Sequence, residues 1–137
     1  MIVESSYAAI PTDAAPMRTF VAAPHVEGQF PGIWCYSDIF QLTGPMLRFC
    51  VRLAGYGFVA AAPEIYHRIE PAGASIPFDD AGRTRGLEDA QKTPVADFDR
   101  SCRAGLDWLG KHRKVAPRKI GAMGFCIGGH LAFRAGL

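Results

Sequence analysis

Three short apolar runs constrain this chain more than any other feature. Gly32 to Ser37 (Gly-Ile-Trp-Cys-Tyr-Ser), Phe58 to Ala62 and Lys119 to Gly124 (Lys-Ile-Gly-Ala-Met-Gly) do not alternate apolar with polar residues, as a half-buried strand would. A strand apolar on both faces needs cover on both sides, which is the condition inside a parallel sheet flanked by helices. The intervening segments have helical spacing. Gly44 to Ala54 places Leu47, Val51 and Ala54 on one face, with Pro45 suited to a first turn and Gly55 and Gly57 to stop it. Val95 to Lys111 carries the stripe Val95, Phe98, Cys102, Leu106 and Leu109. Met17 to Ala22 reads as a further strand, ended by Pro24, and Gly129 to Gly136 begins a last helix. The order β-(β-α)-β-α-β-α predicts an α/β fold, a mostly parallel sheet flanked by helices.

Residues 63 to 93 are rich in Pro and Gly. A connection of that length in a compact domain is either functional or carries short helices of its own. Within it, Asp79, Asp80, Glu88 and Asp89 read as a solvated helix or turn start, not a metal site.

Composition removes several classes. The chain has 137 residues, 49% of them hydrophobic and 20% charged, with a net charge of +2. That is enough apolar content for a core. The slight positive excess predicts no nucleic-acid partner and no membrane-surface partner. No run is long enough to span a bilayer, and the N-terminus lacks a basic region followed by an apolar stretch, so a soluble cytoplasmic protein is expected. The four cysteines (Cys35, Cys50, Cys102 and Cys126) form no C-x-x-C pair and have no zinc-ligand spacing with histidine. Reduced thiols are expected, with Cys35, Cys50 and Cys102 as packing residues. No metal and no cofactor is required.

The sharpest motif is Gly124-Phe125-Cys126-Ile127-Gly128-Gly129, which leaves a predicted strand and enters a predicted helix. That is the setting of a nucleophile elbow, G-x-Nuc-x-G, with cysteine as the nucleophile. The turn is so tight that side chains two residues to either side would strike backbone, and glycine at 124 and 128 removes the clash. The helix start beneath Cys126 favours a thiolate, and the Ile127 N–H is free to face a developing oxyanion. The competing readings are a buried cysteine in a Gly-rich turn, a dinucleotide site, whose G-x-G-x-x-G spacing is absent, and an anion held at the helix start of a flavodoxin-like domain.

With Lys-Ile-Gly-Ala-Met before it, this hexapeptide resembles the elbow of the dienelactone hydrolase family, within the α/β-hydrolase fold. Tyr36-Ser37-Asp38-Ile39-Phe40 resembles the family's strand end, in which an acidic residue precedes Ile-Phe. Ala62-Pro63-Glu64-Ile65-Tyr66 resembles its Pro-acidic-aliphatic-Tyr segment. The resemblance covers about residues 15 to 137. It implies a cysteine hydrolase of a lactone or carboxylic ester. Cys126 would be the nucleophile, and the backbone N–H groups of Ile127 and Ile39 the oxyanion hole. Asp38 would be the acid that contacts the thiol, one methylene shorter than the family's usual Glu. Arg83 or Arg85 falls near the family's arginine for a substrate carboxylate. Phe40 and Tyr66 follow strand ends on the side where open α/β sheets bind ligands, which predicts pocket roles. Glu64 and His67 flank Tyr66 as loop polar groups, and Trp34 and Trp108 are expected in the core.

In this fold the acid and the histidine of the triad follow the nucleophile in the chain. Beyond Cys126 there is no Asp or Glu, and His130 is the only histidine, one turn into the elbow helix. The expectation is a single incomplete α/β-hydrolase domain lacking its C-terminal part, with roughly 100 further residues needed to complete it. An incomplete sheet bares an edge, which predicts self-association through that edge. The alternative is a non-catalytic half-domain or a partner-binding remnant.

Overall fold

The computed structural model describes residues 1–137. The elements are β1 (Val3–Ile10), β2 (Met17–Pro24), β3 (Phe30–Tyr36), α1 (Gly44–Gly55), β4 (Val59–Pro63), α2 (Asp80–Lys92), α3 (Val95–Gly110), β5 (Val115–Gly124) and α4 (Ile127–Ala135). The strands form one sheet in the order β1-β2-β4-β3-β5. β3 lies parallel to both β4 and β5, whereas β1–β2 and β2–β4 are antiparallel. The α/β class expected from the apolar runs is therefore present, with its parallel part at the β4-β3-β5 end.

Alternation along each strand sorts the core into two layers. Val21, Trp34, Tyr36, Val59 and Ala61 face Phe98, Cys102 and Leu109 of α3 and Leu131 of α4. Their neighbours Phe20, Ala22, Cys35, Ala60 and Ala62 face Met46, Cys50 and Ala54 of α1. The two layers differ in side-chain size. Alanine and cysteine dominate beneath α1, whereas aromatic and branched residues fill the space beneath α3 and α4. Cys35, Cys50 and Cys102 are buried and unpaired, as the packing reading expects. Trp34 is fully buried.

α3 reaches Trp34 through Gly105, where an added Cβ would lie 2.2 Å from the indole Cζ2. The ring has no exposed surface and no room to retreat. Gly105→Ala is therefore expected to cost about 3 kcal/mol through overpacking, read as a lowered chemical-denaturation midpoint. A midpoint equal to wild type would mean that the α3–Trp34 contact is looser than described.

β1 and Val95 depart from the sequence reading, whereas α2 is a helix of the kind that the long connection predicts. β1 was not anticipated, because Val-Glu-Ser-Ser-Tyr-Ala-Ala-Ile is too polar and too small to show a period. It forms by pairing along its whole length with β2, and Tyr7 sits opposite Phe20 with ring centroids 5.3 Å apart. α2 occupies the last part of the long connection, and Asp79 caps it by accepting the Gly82 N–H at 2.7 Å. Val95, assigned to the apolar stripe of α3, is instead exposed. β5 is an edge strand, hydrogen-bonded only to β3. No helix is long and apolar enough to cross a membrane.

Candidate active site

The parallel strands end together, and the residues singled out from the sequence lie at those ends. β5 ends at Gly124 and α4 begins at Ile127, leaving Phe125 and Cys126 to make the whole turn. Cys126 has φ 59° and ψ −124°. A non-glycine residue rarely occupies this region, and holding one there costs on the order of 1–3 kcal/mol. The surrounding glycines explain why no other path is open. A Cβ on Gly124 would fall 2.1 Å from the Gly128 carbonyl oxygen, and one on Gly128 would fall 2.3 Å from the Ser37 carbonyl oxygen. Backbone thus meets backbone on both sides of the cysteine. The result is that Cys126 is exposed while the other three cysteines are buried.

Two backbone donors accompany it. The Ile127 N–H opens α4 and so has no partner within the helix. The Ile39 N–H lies in the turn after β3 and finds no acceptor either. The turn is held by Asp38, whose Oδ1 accepts the Phe40 N–H at 2.9 Å. That bond uses one oxygen of the carboxylate expected to contact the thiol, and no hydrogen bond joins Asp38 to Cys126. Gly86 lets α2 approach this turn closely: a Cβ there would lie 2.6 Å from the Ile39 carbonyl oxygen.

The other predicted residues divide. Phe40 is buried at the turn, and its ring packs on the exposed Phe78 at 4.9 Å. Tyr66 has no exposed surface; its hydroxyl donates to the Gly86 carbonyl at 3.1 Å, which ties the end of β4 to α2. Burial pushes the phenol well above its usual range, with the charges of Asp89, Asp38 and Cys126 adding to the effect. Arg83 is exposed and makes no ion pair. Arg85 is engaged on both arms: its Nε donates to Glu70 Oε1 at 2.7 Å and its Nη2 to Oε2 at 2.5 Å. His130 is exposed on α4, and none of the four histidines hydrogen-bonds the Cys126 sulfur.

The expectation of a solvated acidic stretch fails at Asp89. It is buried, and its Oδ2 has no hydrogen-bond partner. Burial, reinforced by the neighbouring Glu70, raises its carboxyl from the ordinary 3.8 to about 6, while Arg85 holds Glu70 down at about 2. A carboxyl raised in the fold favours the folded state fully below pH 3.8. That contribution fades as pH rises through about 6, where the buried group must ionise. Asp89→Asn, which cannot ionise, is therefore expected to raise Tm at pH 8 and to leave it close to wild type at pH 4. A Tm at pH 8 below wild type would contradict the sign.

One positioning residue was not evident from the sequence. Gln41 is fully buried with φ 63°. Its Oε1 accepts the Tyr66 N–H at 3.0 Å and its Nε2 donates to the Ala74 carbonyl at 2.9 Å, so it clamps the β3 turn, the end of β4 and the following loop. The only signal was an amide in an otherwise apolar run, Ile-Phe-Gln-Leu. Glu64 is also buried, and both its oxygens accept the Gly73 N–H at 3.0 Å. His67 is buried too. Its Nδ1 donates to the Ala15 carbonyl at 2.8 Å and its Nε2 accepts from Ser101 Oγ at 2.7 Å, a tautomer set by the carbonyl, which can only accept. These three tie the loop down.

Comparison with known proteins places this geometry in a group. The profile described as "Dienelactone hydrolase family" matches residues 17–136. A Saccharomyces cerevisiae protein carrying a provisional carboxymethylenebutenolidase name is 39% identical over 123 residues, covering 87% of this chain and 45% of that protein. The Pseudomonas putida carboxymethylenebutenolidase is 28% identical over 125 residues, covering 88% of this chain and 50% of its own. A crystal structure from Klebsiella pneumoniae, provisionally a dienelactone hydrolase, superposes with a TM-score of 0.84 at 22% identity over 98% of this chain and 55% of that one. The chain spans about half the length of the relatives it matches.

Proposed function

Given that this chain belongs to the dienelactone hydrolase family, we propose that it is the elbow-bearing part of a cysteine-dependent hydrolase of carboxylic esters or lactones. The observation that carries the reading is Cys126 itself: a reactive residue type, exposed, held in a strained backbone conformation that its glycine neighbours impose. Strain of this kind at an exposed nucleophile has no structural benefit, and it lifts the sulfur clear of the sheet.

The proposed steps are as follows. The Cys126 sulfur attacks the substrate carbonyl carbon, and the thiol proton passes to a base. The carbonyl oxygen becomes an oxyanion, which accepts from the Ile127 and Ile39 N–H groups. The tetrahedral species collapses to a thioester, and the leaving alkoxide takes the proton. Water then attacks the thioester and releases the acid and the free thiol. Asp38 supports the second donor by bracing the turn that carries Ile39. No Asp or Glu follows Cys126 in these 137 residues and none of their histidines hydrogen-bonds its sulfur, so we place the base and its acid partner in the part of the relatives' length that this chain does not span. Cys126→Ala in the full-length protein is the test, and ester turnover unchanged by it would remove the reading.

A further inference from the structure

We propose that the core binds one ordered water molecule between β3 and α3, which accepts from the Trp34 indole and bonds the Tyr36 hydroxyl. The inference is independent of the Cys126 reading above.

The first observation is an orphan donor. Trp34 is fully buried, and its Nε1–H has no hydrogen-bond partner in the protein. A buried donor left unpaired gives up its hydration for nothing, and native cores rarely keep one. α3 presses on the benzo edge of the ring at Gly105, so the indole has no room to swing toward a distant acceptor. The second observation is space. A cavity of about 10 Å³ lies against the ring, walled by Met17 of β2, Tyr36 of β3 and Phe98, Ser101 and Cys102 of α3, all of them buried. That is room for one water and for no larger guest.

The third observation is the chemistry of the wall. The Tyr36 hydroxyl has the Trp34 N–H and the Cys102 thiol as neighbours, and all three residues line the cavity. Ser101 cannot serve the indole. Its hydroxyl donates to His67 Nε2 at 2.7 Å and accepts from Arg68 Nε at 3.3 Å and Nη2 at 3.2 Å. A water in the cavity accepts from the indole, exchanges a second bond with the Tyr36 hydroxyl and gains a weaker third contact from the thiol, which makes the two to four partners a buried water needs. The rival is an N–H directed at the Tyr36 ring, whose plane stands at 89° to the indole with centroids 6.2 Å apart. Trp34 and Tyr36 are alternate residues on one face of β3, so the water would tie them together. The Tyr36 carbonyl in turn accepts the Phe125 N–H at 3.3 Å, so this bridge braces the strand end on which the elbow rests.

The experiment uses the full-length protein in two arms. A crystal structure fine enough to show ordered solvent should place a single density peak within hydrogen-bond distance of Trp34 Nε1 and Tyr36 Oη. This arm needs no variant. In solution, NMR of the protein with isotope-labelled tryptophan should show the Trp34 indole proton, identified as the signal that Trp34→Phe removes, in direct contact with a water that exchanges slowly with bulk. Cys102→Leu, whose side chain fills the space, should abolish that contact. A cavity without density overturns the proposal. So does an indole proton that touches no water and is shifted upfield by the Tyr36 ring, which would assign the N–H to the aromatic face. A water contact that survives Cys102→Leu also overturns it, because the water would then lie elsewhere. None of these readouts depends on ester turnover, so the hydrolase reading and this one fail separately.

Discussion

Cys126→Ala is expected to reduce ester turnover by the full-length protein by about 10⁴-fold or more, the scale on which loss of a covalent nucleophile registers when the oxyanion donors remain. Folding should be little changed, since the alanine Cβ occupies the same position as the cysteine's. The informative companion is Cys126→Gly. Cysteine stands at φ 59° and ψ −124°, which glycine adopts without steric cost. Relief of about 1–3 kcal/mol of strain should outweigh the greater chain entropy of glycine, leaving the variant about 1 kcal/mol more stable and equally inactive. A substitution that stabilises the fold while removing activity identifies a position kept for chemistry. Equal loss of stability and activity in both variants would instead assign Cys126 a structural role. The appearance of a mass increment equal to the acyl group on Cys126 during turnover, and its absence from the alanine variant, would identify the thioester directly.

The second large effect concerns the two adjacent glycines that open α4. At Gly128 a side chain would lie 2.3 Å from the Ser37 carbonyl oxygen and 2.7 Å from that of Tyr36. Neither oxygen can move without pulling the end of β3 away from α4. Gly128→Ala should therefore cost more than about 4 kcal/mol, enough to remove most of the stability of an ordinary domain. Whatever folded protein remains should be inactive, because the same shift displaces the Ile39 donor. Gly129 is the control. A Cβ there would meet only the Gly124 carbonyl oxygen, at 3.6 Å, an ordinary contact. Gly129→Ala lies inside the helix and should stabilise by up to about 1 kcal/mol. Urea unfolding of the pair separates the steric argument from a general intolerance of the motif. If both variants fold equally well, the tight bend is not what these glycines provide.

The acid–base cluster behind the site connects these local effects to pH. Glu70, Arg85 and Asp89 lie between the loop after β4 and the helix that packs on the turn carrying Ile39. Asp89 is the member that resists ionisation, so the cluster is most settled on the acid side of neutrality. The carboxamide substitution at this position tests that electrostatic reasoning without touching Cys126.

Much of the site was legible because it is local. The elbow follows from steric exclusion among residues 124 to 129, and a hexapeptide contains all the atoms that collide. The same holds for the buried strands, where Ile-Trp-Cys-Tyr and Val-Ala-Ala-Ala have no polar face to present to water. The free Ile127 N–H is likewise a consequence of any helix start. The sequence alone therefore determined that Cys126 would sit in a tight strand-to-helix bend, that three parallel strands would converge on it, and that the other three cysteines would be packing residues.

Tertiary structure decided everything that depends on which distant segments meet. Arg85 looked available for an anion until the fold set Glu70 against it, fifteen residues away along the chain. Asp89 looked solvated until helix packing buried it. Val3–Ile10 had no period of its own and became a strand only because β2 offered an edge to pair with. Gln41 became a clamp because three separate backbone segments converge on it. Backbone sterics and apolar patterning act over a few residues and can be read in order; charge pairing and polar satisfaction act through space, and their partners exist only once the chain has folded.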